Sequence, residues 1–421
     1  QVDFTETLLQ MDVADLIGTA SSSEISTWDY GHFNSWPVTI DSTRLNGGSV
    51  DWGGEAPPGQ DFPSYGYYSL LPAEIFTDAL DDPLANLVQI NHVASHFSDS
   101  GLAIDTGMTP PQSEADLSEM RLDPATENAF DDGFQALEVW IGTNGRGGIF
   151  DEFLGQNAGD WFNMINQGLV RTGIANSDSH ERRTTFLANR NLIASEETDP
   201  IDLSAQPEAL AAAIIEGKSV GTNGPSVTIE ATGRYLGVSR TASLGVDEPR
   251  QIPISSGSPL TITVNIATPA WAPVDSVDFY INNQPERTSA ESSAARYGVC
   301  ADLTINAGDE GWEEQTTTVV EGLEDASRTD ITVTLELPEI TQDTWLVAVV
   351  HGTDGISPPM FPAVPEDLDQ ASNQTLEELL DDNLGEGGVP AYAFTNPLFI
   401  DEGNNGWTPP GVANAACSTE E

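Results

Sequence analysis

The feature that most constrains this chain's fold is a change in the spacing of apolar residues near residue 226. Beyond it, β-branched and aromatic runs with a period of two occupy residues 259–267, 276–282, 329–337 and 344–350. Such runs, separated by turn clusters, are typical of an antiparallel β-sandwich. Val277, Phe279 and Ile281 are expected to face its core, because alternate residues of a strand share one face. The sequence therefore predicts a sandwich domain over residues 226–421.

The first 200 residues follow a different pattern, in which strand-like and helix-like segments alternate. Residues 13–20 and 87–92 are apolar runs that predict buried strands. The segment DWFNMINQG predicts a helix with Asp160 as its N-cap and Gly168 as its C-terminal stop. A second helix is predicted over residues 207–218. This alternation indicates an α/β domain.

Candidate metal ligands cluster in the same N-terminal part. Asp178 and His180 stand two residues apart behind an apolar run, so in an extended strand they share a face. His32 and His92 also lie at strand-to-loop transitions, and Glu24 stands upstream of them. Imidazoles and carboxylates that converge from separate strand ends are the usual ligands of hydrolytic Zn, Mn or Fe centres.

The order of these segments resembles a known family. EIST, GHFN, INH, ALEVW and IANSDSH follow one another as in the PHP (polymerase and histidinol phosphatase) metallohydrolases, and most resemble the secreted CehA/McbA-like branch. Residues 216–227, 277–286 and 393–401 resemble the β-rich domain of that branch. The resemblance implies a partial or distorted PHP-type (β/α)7 barrel over residues 1–225, followed by the sandwich over residues 226–421.

The resemblance also implies an activity, metal-dependent hydrolysis of a phosphoester or a related ester or carbamate. One to three divalent ions (Zn, Mn or Fe) would activate a water molecule for attack on a small anionic or ester substrate. Arg182 and Arg183 are candidate catalytic residues that would clamp an anionic substrate, although surface salt bridges would equally explain them. The resemblance implies that Glu24 bridges two metal ions. The full set of metal ligands that it implies is Glu24, His32, His92, Asp178 and His180.

Other polar residues near these segments have two interpretations each. His96 could line the pocket or lie in a loop. Glu138 could brace a metal ligand or pair with Arg146. His351 belongs to the predicted sandwich, and a structural role is expected for it.

The sequence departs from the family pattern at its start. Family members open their metal site with an HxH pair and a DH pair, and neither occurs in this chain. One explanation is that the chain is the C-terminal portion of a longer secreted precursor, whose cleaved N-terminal fragment could remain bound as a partner. The other is a non-catalytic extracellular structural or surface protein that retains a degenerate PHP fold. We favour the first, because the remaining ligand positions look intact.

The charge balance limits the setting and the partners. The chain has 67 acidic and 14 basic residues, for a net charge of -53. This surface repels nucleic acid and anionic membranes, which excludes both as expected partners. It suits a high-salt or marine environment, where the Debye length falls to about 3 Å at 1 M salt. No run of 18 apolar residues occurs, so no membrane span is predicted, and an extracellular or periplasmic location is expected.

The C-terminal part also contains both cysteines of the chain, an acidic insert and a glycosylation sequon. Cys300 and Cys417 are the only cysteines and have no CxxC neighbour, which argues against a cysteine-based zinc site. They could form one disulfide in a secreted protein. Residues 364–388 form an acidic insert, predicted as a helix or an excursion from the sandwich. Asn373 lies in the chain's one glycosylation sequon.

Overall fold

The fold is that of a computed structural model of the chain. It describes residues 4–27, 30–43, 47–54, 68–84, 86–91, 131–141, 157–177, 189–269, 272–287, 297–318, 327–352 and 391–411.

Strands predominate over helices in the described ranges. In chain order, the elements of the N-terminal part are α1 (Thr5–Gln10), β1 (Ser23–Ser26), β2 (His32–Trp36), β3 (Gly53–Gly54), β4 (Tyr68–Ser69), α2 (Pro72–Leu80), β5 (Leu87–Ile90), β6 (Ala136–Ile141), α3 (Ala158–Asn166), β7 (Thr172–Asn176), β8 (Arg190–Ile193), α4 (Pro200–Ala205), α5 (Pro207–Ile215) and β9 (Ser219–Thr222). The later elements are β10 (Ser226–Tyr235), β11 (Val238–Ser243), β12 (Gln251–Ile254), β13 (Ser258–Pro269), β14 (Ser276–Ile281), β15 (Glu286–Arg287), β16 (Tyr297–Gly298), β17 (Leu303–Asn306), β18 (Trp312–Thr318), β19 (Ser327–Ile340), β20 (Thr344–His351), β21 (Tyr392–Thr395) and β22 (Leu398–Glu402).

The first sheet has the strand order β1-β2-β5-β6-β7. Strands β1 and β2 form an antiparallel hairpin, and β5 is antiparallel to β2. Within this sheet, the parallel pairs are β5 with β6 and β6 with β7. The predicted (β/α)7 barrel is therefore wrong, because the described strands form three larger open sheets rather than a closed parallel one.

Asparagine side chains explain why this sheet stops at β7. The outward N–H and C=O groups of Gly173 bond to the amide of Asn396, at 2.8 and 3.0 Å. Those of Ala175 bond in the same way to Asn191, at 2.9 and 2.8 Å. Strand β8 instead pairs antiparallel with β9, which joins it to the second sheet. Side-chain amides therefore satisfy the edge that a further barrel strand would have occupied.

The second sheet is central and buried on both faces. It contains β12, β22, β20, β21, β9 and β8, with β14 and β17 attached through β20. Tyr280, Trp345 and Phe394 on one face belong to the same hydrophobic cluster as the first sheet and α3. Phe279 and Leu346 on the other face pack into a second cluster. One continuous core therefore joins the N-terminal sheet to the C-terminal strands.

The third sheet, in the order β11-β10-β13-β19-β18, covers the other side of the second cluster. Strands β13, β14, β19 and β20 confirm the four predicted period-two segments. Val277 and Phe279 face the core as predicted, and Ile281 is partly buried against it. Alternation was sufficient here because each strand has one face on this core.

Helix α3 fills the space between the first and second sheets. All its residues except Asp160 are buried. Phe162 lies 5.2 Å from Tyr280 and 5.0 Å from Trp345, measured between ring centroids. Gly168 has a φ of +85° and follows the helix end, which confirms it as the stop. The predicted start was wrong, since the helix begins at Ala158 and Asp160 lies in its first turn.

The segment 13–20 is not the buried strand that its composition predicted. Leu16 and Ile17 are 73% and 55% exposed. The backbone turns instead, because the N–H groups of both residues bond to the carbonyl of Val13 at 3.0 Å. This apolar run thus has no partner strand among the described residues. The predicted strand at residues 87–92 is confirmed over Leu87–Ile90, and the helix at residues 207–218 over Pro207–Ile215.

The chain enters the central sheet before residue 225, the predicted domain boundary. Strand β9 pairs with β21, and β8 pairs with β9.

Cys300 is disulfide-bonded, and Cys417 is the only other cysteine of the chain. Cys417 itself, Asn373 and the acidic insert 364–388 lie outside the described residues.

Candidate functional site

The hairpin of β1 and β2 presents one polar face. Both strands alternate, so Ile25 and Phe33 enter the core while Glu24, His32 and Asn34 point to the other side. The turn is closed at Thr27, whose Oγ1 donates to the carbonyl of Gly31 at 2.7 Å. Strand alternation and a tight turn therefore position these polar side chains.

Glu24 and His32 make the central contact of this face. Glu24 is opposite Asn34 and His32 is opposite Ser26, so the two are diagonal neighbours on one face. His32 Nδ1 lies 3.1 Å from Glu24 Oε1, with the side chains 38% and 36% exposed. The contact is not aligned as a hydrogen bond, but the carboxylate charge beside Nδ1 favours a proton there and leaves the Nε2 lone pair as the one that could bind a metal.

Polar side chains continue across the neighbouring strands on the same face. Gln89 is opposite Asn34, and its amide donates to Asn91, two residues further along. Glu138 Oε1 accepts a hydrogen bond of 2.9 Å from Asn176 Nδ2. Gln89, Asn91 and Glu138 are all buried. Buried polar groups of this kind require partners, so the row forms an ordered polar edge.

This polar row lies at the C-terminal ends of the parallel strands. The opposite ends of the same face are apolar, where Leu87, Ala136 and Ile174 pack against Ala211 and Ile214 of α5. Helix α5 thus closes one half of the face and leaves the other half polar. Ligands of open α/β sheets bind outside the carboxyl ends of the strands. The polar edge is therefore the candidate site of the N-terminal part.

Arg190 is the first residue of β8, the next strand along the chain after β7. Asn189 Nδ2 lies 3.5 Å from the carbonyl of Asn176, and Arg190 follows it. Arg190 Nη1 donates to the carbonyl of Asn223 at 3.2 Å. Desolvation by burial lowers the pKa of Arg190 below its usual value. Arg190 is thus a partly desolvated cation one residue beyond a contact with the polar edge.

The structure brings together two of the predicted metal ligands, Glu24 and His32. The other predicted site residues lie outside the described residues, and these are His92, His96, Asp178, His180, Arg182 and Arg183. The described chain stops at Asn91 after β5 and at Ser177 after β7. Both points lie at the polar edge, and His92 and Asp178 are the next residues in the sequence.

Glu138 and His351, for which the sequence left a role open or predicted a structural one, both contact a polar side chain of a neighbouring strand. Glu138 is buried in the polar row and bonds to Asn176, while Arg146 lies outside the described residues. His351 Nε2 lies 3.0 Å from Asp278 Oδ2, and both side chains are 13% exposed. The structural role expected for His351 stays a prediction, and this contact with a neighbouring strand fits it.

Sequence reasoning missed the amide residues of this edge, Asn34, Gln89 and Asn176. A signal for Asn176 was present, because it stands two residues before Asp178 in the same extended run. Gln89 carried a similar signal relative to Asn91. Amides are seldom ligands of Zn, Mn or Fe, so residue type alone did not point to these positions.

The donors present fit a divalent ion in kind. An imidazole nitrogen and carboxylate oxygens are suitable ligands for Zn, Mn or Fe. Among the described residues, however, no group of three or more His, Cys, Asp or Glu side chains is close enough to hold an ion. The described residues alone therefore provide a partial ligand set.

Comparisons of the chain with family models, with curated proteins and with solved structures find no match. Within the described part of the chain, no helix is long and apolar enough to cross a membrane.

Proposed function

We propose that this chain is a metal-dependent hydrolase of phosphoesters or related esters or carbamates, with its centre at the polar edge of the first sheet. The observation that carries the proposal is the Glu24–His32 contact of 3.1 Å on a face that also carries the buried carboxylate of Glu138. Both partners of the contact are partly exposed, so an ion and a substrate can reach them.

The sequence beyond the described strands supports the same location. His92 directly follows Asn91, and Asp178 directly follows Ser177. Asn91 and Ser177 both lie at the polar edge. His92, Asp178 and His180 would therefore raise the number of metal ligands from two to the number that a hydrolytic centre needs.

The chain's own residues have distinct roles in this proposal. The carboxylate of Glu24 lies beside Nδ1 of His32, and its charge favours the tautomer whose Nε2 would donate to an ion. Glu138 and Asn176 hold each other and keep the floor of the site ordered. A divalent ion, when bound, supplies Lewis acidity that lowers the pKa of a coordinated water.

Charge favours the arginines as the groups that would receive the substrate. In a chain of net charge -53, an anionic substrate is repelled by most of the surface. Arg182 and Arg183, which follow His180 in the sequence, and Arg190 at the start of β8 would offset that repulsion. The same surface charge supports a secreted protein of a high-salt environment.

Metal content is the direct test. The full chain, purified in about 1 M salt to screen its charge, should retain at least about one divalent ion. It should also hydrolyse p-nitrophenyl phosphate, bis-p-nitrophenyl phosphate or p-nitrophenyl acetate. His32→Gln should lower both metal content and rate. Less than about one ion per chain in the parent protein would overturn the proposal.

His351→Gln is the matched control, because it alters the other carboxylate–imidazole pair. It should leave the metal content per folded chain unchanged. A folded parent chain that binds no ion and cleaves none of the three substrates would instead favour a non-catalytic extracellular structural protein.

A further inference from the structure

Arg250, which directly precedes β12, is a cation that forms no ion pair with a described carboxylate. Its Cζ lies over the ring of Phe399 of β22, 5.0 Å from the centroid. Nη1 is buried without a hydrogen-bond partner, and Arg250 forms no ion pair with any carboxylate of the described residues. The chain has 67 acidic residues, so an unpaired, partly buried guanidinium is unexpected in it. Desolvated charges are normally paired.

The guanidinium is held in place by its packing. Gly217, at a φ of +72°, lies against it so closely that an added Cβ would be 1.8 Å from Nη1. Phe399 supports the other side through the cation–π contact. The position of the charge is therefore set by the fold and does not depend on a carboxylate partner.

Arg250 lines a pocket of about 510 Å³. This volume lies in the range of small-molecule sites. Its apolar walls include Val170, Phe399 and Trp407, and the last two rings pack edge to face with centroids 4.7 Å apart. The pocket thus combines one fixed cation with aromatic and aliphatic surface.

The other charges of the pocket are already engaged or exposed. Lys218, the chain's one lysine, lies 3.1 Å from Glu216 and donates to the carbonyl of Val246 at 2.9 Å. Glu248 also lines the pocket, but it is exposed. Burial lowers the pKa of Arg250 to about 10, and the charge of Glu216 opposes part of that shift. The guanidinium is still protonated at neutral pH, and an anion would offset its desolvation.

We propose that this pocket binds a small organic acid, whose carboxylate contacts Arg250 and whose apolar body packs against Val170, Phe399 and Trp407. An inorganic anion would leave the aromatic wall unused, and a neutral apolar compound would leave the guanidinium unpaired.

This site is separate from the proposed hydrolase centre. Val170 precedes β7 and therefore lies at the N-terminal end of that strand. The polar edge lies at the other end, near Asn176. The pocket's remaining lining comes from the segment after α5 and from β12, β22 and the turn beyond it. Binding here does not depend on the metal proposal.

Titration of the full chain with benzoate and with benzamide, at one fixed salt concentration, tests the proposal. The two probes share an aromatic ring, but only benzoate carries a charge. Benzoate should bind with one-to-one stoichiometry and at least about tenfold more tightly than benzamide, the ratio expected of one charge-assisted contact. Arg250→Met should remove this preference. Arg328→Met, at an exposed arginine paired with Asp330, should retain it.

Equal affinities for the two probes, or an Arg250→Met variant that still prefers benzoate, would overturn the proposal. If Arg250→Met fails to fold, a crystal of the parent chain soaked in 4-bromobenzoate provides an independent measurement. The anomalous bromine peak should lie beside Phe399 and Trp407 with the carboxylate on Arg250. Bromine peaks confined to other surfaces would contradict the assignment.

Discussion

Two carboxylate–imidazole pairs in this molecule have the same strand register and a similar contact distance, but only the second is aligned as a hydrogen bond. Glu24 and His32 are diagonal neighbours on β1 and β2, with a contact of 3.1 Å. Asp278 and His351 are diagonal neighbours on β14 and β20, with a contact of 3.0 Å. The first pair is more than a third exposed at each side chain, whereas the second is 13% exposed at each. The pairs thus share their place in the strand register and differ in exposure, so an ion could reach the first more easily than the second.

The less exposed pair should show the largest effect on stability. Asp278→Ala leaves His351 in the central sheet without its carboxylate and should lower the free energy of unfolding by about 2 kcal/mol, less than for a fully buried pair that loses one partner. Chemical denaturation at constant high salt measures this. Asp330→Ala, at an exposed partner of Arg328, is the control and should stay within about 0.5 kcal/mol. A loss below about 1 kcal/mol for Asp278→Ala would remove the distinction between the two pairs.

The exposed pair should instead affect metal binding. Glu24→Gln retains the size of the side chain but removes the carboxylate charge beside His32 Nδ1. We expect divalent-ion affinity to fall about 10- to 100-fold, while stability without metal changes by less than about 1 kcal/mol. Competition with a chelator of known affinity measures the first quantity. Unchanged affinity together with a large loss of stability would show that this pair is structural as well.

Salt should separate the two pairs further. A double-mutant cycle of Glu24→Gln and His32→Gln should give a coupling of about 0.2–1 kcal/mol that shrinks as salt rises, because the pair is exposed to screening. The equivalent cycle of Asp278→Asn and His351→Gln should change little with salt. Couplings that depend equally on salt would mean that burial does not distinguish the pairs.

The smallest expected effect is on the pH dependence near the buried pair. Partial burial raises the pKa of Asp302, although hydrogen bonds from Ile281 N and Asn283 Nδ2 oppose the shift. A raised carboxyl pKa contributes stability that is fully present below the unfolded-state value of about 3.9 and is lost as pH rises through the folded-state value. Relative to Asp302→Asn, the parent chain should thus become less stable as pH rises over this window. Denaturation curves at several pH values measure the difference, and the opposite slope would contradict the shift.

The sequence predicted individual strands better than it predicted their pairing. Val277 and Phe279 were assigned to the core because alternation is a local property of one strand. The predicted barrel was wrong, because whether a strand pairs in parallel or antiparallel depends on its partner strand as well as on its own sequence. Only residues 27–31 separate β1 from β2. A parallel crossover needs a dozen or more residues, so this spacing already favoured a hairpin.

The candidate site was predictable to a similar extent. Glu24 and His32 were identified from residue type and order, and the structure brings them together. The contribution of Gln89 became visible only once β5 was paired with β2. Asn396 could not be anticipated, because it contacts Gly173 across 223 positions of the chain. Contacts between remote segments depend on the assembled core rather than on local pattern.

The amide caps on β7 also bear on how this molecule meets copies of itself. An open sheet edge offers unpaired backbone groups to any strand that approaches, and this is a common start of aggregation. At Gly173 and Ala175 those groups are occupied by Asn396 and Asn191, whose amides both donate and accept. An aspartate at either position could only accept, and it would leave a carbonyl without a donor. In concentrated salt, where charge repulsion between molecules is screened, these two neutral side chains would still keep that edge from pairing with another chain.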